Sequence, residues 1–171
     1  MSAGTRLLFC SFLLSLAVSA QSIKKMPVEQ SGCSYYGYCS IRFETSYSQD
    51  SSKVYAGECV KDSISWGLIC VKMSNLPSSL EQAEEILTAY LNHLKSSFAI
   101  QKSAGYGKGH RLNKNENTRG ILDYWEDSEK NNWKIKGWTN GRFIAVLYAF
   151  SKKELPENRV NLFLDGFRMP D

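Results

Sequence analysis

Trp133-Lys134-Ile135-Lys136-Gly137-Trp138-Thr139-Asn140-Gly141-Arg142-Phe143-Ile144-Ala145-Val146-Leu147-Tyr148-Ala149-Phe150 is the stretch that decides the fold class of this chain. Asn140-Gly141 separates two strand-like runs, and Asn-Gly in that position is the preferred type I′ hairpin turn because both central residues need positive φ. Such a turn predicts Thr139 facing Arg142, Trp138 facing Phe143, Ile135 facing Val146 and Trp133 facing Tyr148. Successive side chains alternate across a strand. One face then carries Trp133, Ile135, Gly137, Ile144, Val146 and Tyr148, and the other Lys134, Lys136, Trp138, Phe143, Ala145 and Leu147. The first face is apolar throughout and is expected to be the core face. Upstream, Gly120-Ile121-Leu122-Asp123-Tyr124-Trp125 reads as a third strand joined through the polar loop 127–132. Aromatic and β-branched cross-strand pairs contribute roughly 0.2 to 1 kcal/mol each, so these aromatics read as sheet core before ligand box.

Working upstream, Ile41 and Phe43 alternate with Arg42 and Glu44. A polar turn over 49–52 leads to a strand over 53–60, and a further strand ends at Met73. These make a first meander, whose last strand has apolar residues on both faces. Between the meanders lies a helix: Leu80, Ala83, Leu87, Tyr90, Leu91, Leu94 and Phe98 form one apolar stripe. Ser78 and Glu81 stand at capping-box spacing at its start. Glu84 and Glu85 fall on the solvated face, beside His93. After the second meander, Pro156 suits a helix start, and Val160, Phe163, Leu164 and Phe167 make a second stripe. The fold class is therefore α+β: an α/β/α-type sandwich with a central, mainly antiparallel sheet of two meanders, a long middle helix and a C-terminal helix.

The chain has 171 residues, and the first 20 read as a secretory signal: Arg6, an apolar run over 7–18, and small residues at Val18-Ser19-Ala20. That run is too short to span a bilayer. Removing the leader leaves residues 21–40 as an irregular, cysteine-containing arm and 41–171 as a single globular domain. A formal charge of +4, one less without Arg6, is too mild to indicate nucleic acid or an acidic membrane surface. The localisation expected is export, to a periplasm or the extracellular space.

Beyond Cys10 in the leader, Cys33, Cys39, Cys59 and Cys70 form an even set that favours disulfides in an exported chain. The spacing is not that of a metal site. The preferred pairing joins Cys33 to Cys39 and Cys59 to Cys70; the alternative has one or both loop cysteines staple the arm to the hairpin bearing Cys59 and Cys70.

Residues 105–119 carry alternating glycines and a cluster of cations, with Lys108, His110, Arg111 and Lys114 as candidate ligand-binding residues. A glycine-rich basic loop can bring backbone N–H groups to an anion, although the spacing is not that of a phosphate loop. The plainer reading is a glycine-bearing strand with a long exposed loop. Tyr35, Tyr36 and Tyr38, and the second sheet face with Lys134, Lys136 and Trp138, are further candidate surfaces, since Trp and Tyr bring large area at low entropy cost.

The element order and the ending Asn161-Leu162-Phe163-Leu164-Asp165-Gly166-Phe167 resemble the PsbP-like superfamily, which includes the Mog-like and DcrB-like proteins, over roughly residues 41–169. The resemblance implies a sheet with helices on its faces and a non-catalytic binding or assembly role, and it transfers no functional residue. The functional expectation is an exported envelope protein that binds an envelope protein, glycan or small anionic ligand, with no cofactor and no nucleic acid. The alternative is a hydrolase-like enzyme near the 105–119 loop, which needs a pocket uniting His110 with Asp123 or Glu126 and a serine or cysteine.

Overall fold

The structure, a computed structural model, describes residues 22–170. The leader read over residues 1–20 lies outside the described residues, as does Cys10. Chain order is β1 (Lys24–Pro27), β2 (Ser34–Gly37), β3 (Arg42–Tyr47), β4 (Lys53–Lys61), β5 (Ile64–Lys72), α1 (Leu80–Ser97), β6 (Ile100–Ser103) and β7 (Gly107–His110), then a 3-10 turn (Leu112–Lys114). It continues with β8 (Arg119–Asp127), β9 (Asn132–Thr139), β10 (Phe143–Ser151), α2 (Glu157–Leu164) and β11 (Phe167–Arg168). The main sheet is antiparallel in the order β3-β4-β5-β10-β9-β8-β6, with β7 also on β8. The two meanders meet where β10 pairs with β5. The α+β sandwich read from the sequence is the observed architecture, and no described helix is long and apolar enough to cross a membrane.

Both faces of the sheet are core, which corrects the expectation of one. α1 packs Leu87, Leu91 and Leu94 onto Ile121, Trp133, Ile135, Ile144 and Val146. On the other face α2 packs Val160, Phe163 and Leu164 onto Trp66, Leu68, Trp138, Ala145 and Leu147. The lysines of that second face follow two routes. Lys134 is buried and pairs with Glu157 at 3.2 Å, and half-buried Lys136 pairs with Asp165 at 2.6 Å. Each thus extends its stem over apolar surface to reach an acid on or beside α2.

The β9–β10 hairpin differs from the expected register by two residues: Thr139 pairs with Ile144, not Arg142. Asn140 is the cause. Its Oδ1 accepts from the N–H groups of Arg142 and Phe143, both at 3.0 Å, and Gly141 alone in the turn has positive φ, at 83°. This side-chain-built turn replaces the type I′ form. A slip of one residue would invert every side chain, whereas a slip of two leaves both faces as read. Its consequence is local: Trp133 stacks on Phe150, with centroids 4.0 Å apart and planes at 13°.

The arm over residues 21–40 is not irregular. β1 pairs with β2, and β2 pairs with β11, so Phe167, expected on the stripe of the C-terminal helix, instead closes a second, three-stranded sheet with Arg168. Tyr35 is buried at its centre and donates no surface; its hydroxyl accepts from the Ile41 N–H at 2.9 Å. At α1 the cap lies one residue later than expected. Ser79 Oγ accepts from the Gln82 N–H at 3.2 Å, and Gln82 Oε1 accepts from the Ser78 N–H at 2.6 Å.

The preferred cysteine pairing is also corrected. Cys39 and Cys59 form a disulfide, while Cys33 and Cys70 are buried thiols. Cys59 stands opposite Trp66 in the β4–β5 ladder and Cys70 opposite Tyr55, so those two cysteines lie too far along the strands to pair with each other.

Candidate functional site

The 105–119 segment is a strand followed by a built loop. β7 pairs irregularly with β8, setting His110 opposite Gly120. Gly120 leaves room there, for a Cβ would stand 2.3 Å from the Trp138 ring and 2.9 Å from the His110 Cβ. After β7, buried Thr118 closes the loop. Its Oγ1 accepts from the Leu112 N–H at 2.9 Å and donates to the Asn115 carbonyl at 2.7 Å, while Leu112 fills the core. Asn113 and Lys114 take left-handed conformations at φ 51° and 61°, a geometry that Asn tolerates and Lys adopts at a cost.

This loop forms one wall of a cleft of about 680 Å³. Asn113 comes from the loop, Asn158 and Asn161 from α2, Asp165 and Arg168 from the chain after it, and Tyr36 from β2. Asn158 and Asn161 are three apart on a helix and so share a face. The side-chain amides of Asn113, Asn158 and Asn161 are without hydrogen-bond partners among the described residues. A second hollow of about 410 Å³ adjoins it through Asn113 and Arg168, adding Asn115, Asn117 and Asn140.

Of the two charged residues that line the cleft, Asp165 is neutralised by an ion pair, whereas Arg168 is held by backbone carbonyls. Asp165 takes the Lys136 ammonium, which also lies 4.7 Å from the Trp138 ring centroid. Arg168 Nη1 donates to the carbonyls of Asp165 at 2.9 Å and Phe167 at 2.6 Å. Burial lowers the pKa of His110 and the Lys136 charge lowers it further, against an opposing pull from Asp165, so the imidazole is neutral at neutral pH.

The candidate residues are therefore only partly brought together. His110 stands beside Lys136 and Asp165, whereas Trp138 is buried and donates Nε1–H to the Leu164 carbonyl at 2.8 Å. That corrects its reading as a binding surface, and the same holds for Tyr35 and Tyr38, which are core. Arg111 pairs with Glu116 at 3.4 Å and Arg119 with Glu81 at 3.2 Å. Lys108 and Lys114 are exposed, with no ion-pair partner among the described residues.

The acids needed for a site with His110 lie elsewhere. Asp123 is on the opposite face of β8, where its carboxylate takes Ser103 at 2.7 Å, Trp125 Nε1 at 2.6 Å and Lys95 at 3.1 Å. Burial works against that charge, but the hydrogen bonds outweigh it and hold the Asp123 carboxyl below its usual range. Glu126 is bound by Lys102 and Lys130, both at 3.0 Å.

The amides of Asn158 and Asn161 escaped the sequence reading because the polar side of an amphipathic helix gives the same pattern whether it faces water or a cleft. Tyr36, one of the tyrosines read as a candidate surface, does line the cleft, whereas Arg168 escaped because the pairing of β2 with β11 joins the two ends of the domain. No protein-family model matches the chain, and no curated protein sequence matches it.

Proposed function

We propose that the chain is an exported, non-catalytic binding protein that receives a neutral glycan in the asparagine-lined cleft. The observation that carries this reading is the lining itself: amides from two walls without protein partners, beside a tyrosine, in a hollow whose charged residues are one acid, Asp165, and one cation, Arg168. A carboxamide offers a donor pair and an acceptor in one plane, which suits neighbouring sugar hydroxyls. The cleft has the size and the few convergent polar groups of a small-ligand site. An anionic ligand fits less well, since it would meet the Asp165 carboxylate as well as Arg168 and finds no cluster of cations in the lining.

Export is supported by the apolar leader pattern over residues 1–20 and by the Cys39–Cys59 disulfide, a bond that persists in oxidising compartments. The order meander, helix, meander, helix supports placing the domain with the PsbP-like proteins, whose role as binding or assembly factors agrees with this reading. The test is an array of neutral and acidic oligosaccharides probed with the purified protein. Neutral sugars retained by the wild type and lost in Asn158→Ala/Asn161→Ala support the proposal. Retention of acidic sugars alone, abolished by Lys108→Ala/Lys114→Ala, would contradict it.

A further inference from the structure

The two thiols outside the disulfide meet in the core. Cys33 ends the turn between β1 and β2, where its N–H donates to Ser31 Oγ at 3.0 Å and its carbonyl accepts from the Val28 N–H at 2.9 Å. Cys70 belongs to β5. The β4–β5 register sets Cys59 opposite Trp66 and Cys70 opposite Tyr55, so Cys59 and Cys70 project from the same face of the sheet, toward the arm. Cys59 there joins the arm's Cys39, and Cys70 meets the arm's Cys33, the two thiols hydrogen-bonding in a site that leaves Cys33 3% and Cys70 0% exposed. We propose that Cys33 and Cys70 close a second disulfide in the oxidised protein, nested outside Cys39–Cys59.

The surroundings make the two thiols unequal in the folded protein. The hydrogen bond from Cys70 lowers the pKa of the Cys33 thiol against the effect of burial, with help from Ser31 and the charge of Lys72. The same contact, together with burial, pushes the Cys70 thiol up. Once the arm is seated, Cys33 is thus the more readily ionised of the two thiols, and in the proposed exchange it reacts first. It displaces one thiolate from a low-molecular-weight disulfide such as oxidised glutathione, giving a mixed disulfide. Cys70, losing its proton, then attacks the Cys33 sulfur and expels the second thiolate. Two electrons pass to the oxidant, and the two thiol protons end on the two released glutathione thiols. Burial places this exchange during folding, before the arm is seated. The bond then fixes the turn that leads into β2, the strand that supplies Tyr36 to the cleft wall.

Oxidative refolding tests this. The full chain with Cys10→Ala is reduced, unfolded, and diluted into a mixture of oxidised and reduced glutathione. It is then alkylated with N-ethylmaleimide in denaturant and mapped by mass spectrometry without reduction. The expected result is a peptide linking Cys33 to Cys70, with alkylation of both falling to the background of a cysteine-free control. A Cys39→Ala/Cys59→Ala variant should still give that link, which separates it from any effect of the first disulfide. Alkylation or glutathionylation of both Cys33 and Cys70, or a bond from either to Cys39 or Cys59, would overturn the proposal.

Discussion

The Arg168 guanidinium lies over the ring of Tyr36, with its central carbon 5.2 Å from the centroid, while Nη1 holds the Asp165 and Phe167 carbonyls. One side chain thereby joins β11 to β2 and caps the chain leaving α2. Arg168→Ala should cost about 1 to 2 kcal/mol, the sum expected of a half-exposed cation–π contact and a carbonyl pair. Arg168→Lys should recover less than half of that, because a strongly hydrated ammonium has no planar face to lay on the Tyr36 ring while it bonds the carbonyls. Urea unfolding of the two variants checks both values.

Trp138 fills the space between sheet and α2 and bonds the Leu164 carbonyl. Trp138→Ala should cost about 3 to 5 kcal/mol through the cavity it leaves. Trp138→Phe keeps most of the volume but orphans the carbonyl, costing about 1 to 3 kcal/mol. If Trp138 were a binding residue on a free surface, both variants would unfold at the wild-type urea midpoint.

Asp123 gives a pH dependence whose sign follows from its lowered pKa. The unfolded carboxyl titrates near 3.9, and the folded one lies below it. The stability it supplies is therefore fully present above about pH 4 to 5 and lost as pH falls through the folded value. Asp123→Asn should be less stable than wild type at pH 7 by about 2 to 4 kcal/mol, because Lys95, Ser103 and Trp125 lose a charged acceptor. The gap should narrow at pH 3. Denaturant midpoints at the two pH values measure it.

The Cys39–Cys59 disulfide closes a segment with a sequence separation of 20 and ties the arm to β4. Replacing both cysteines by alanine should cost about 3 kcal/mol by the loop-entropy relation. Urea unfolding with and without the pair measures the difference.

The sheet was legible because its signals are local. The alternation in β10 and the stripe of α1 each arise within one element, and an error of two residues at Asn140-Gly141 left every face correct. What was hidden depends on remote partners. β1, β2 and β11 are too short to show a period, and their pairing becomes visible only when the chain ends are brought together. Trp138 alternates with Lys134 and Lys136, which made its face look wet; the lysines in fact reach Glu157 and Asp165 past α2. The disulfide partner of Cys39 was open for the same reason, since strand register and not spacing decides which cysteine it meets.

The most direct test of the cleft is calorimetry on a neutral oligosaccharide retained by the wild type, comparing it with Asn158→Ala/Asn161→Ala. Removing two amides that each supply about 1 kcal/mol of hydrogen bonding predicts at least about a tenfold loss of affinity, with an unchanged melting temperature because neither amide holds the fold. An unchanged affinity in that variant, with binding abolished instead by Lys108→Ala/Lys114→Ala, would contradict the account and move the site to the exposed basic edge of the loop.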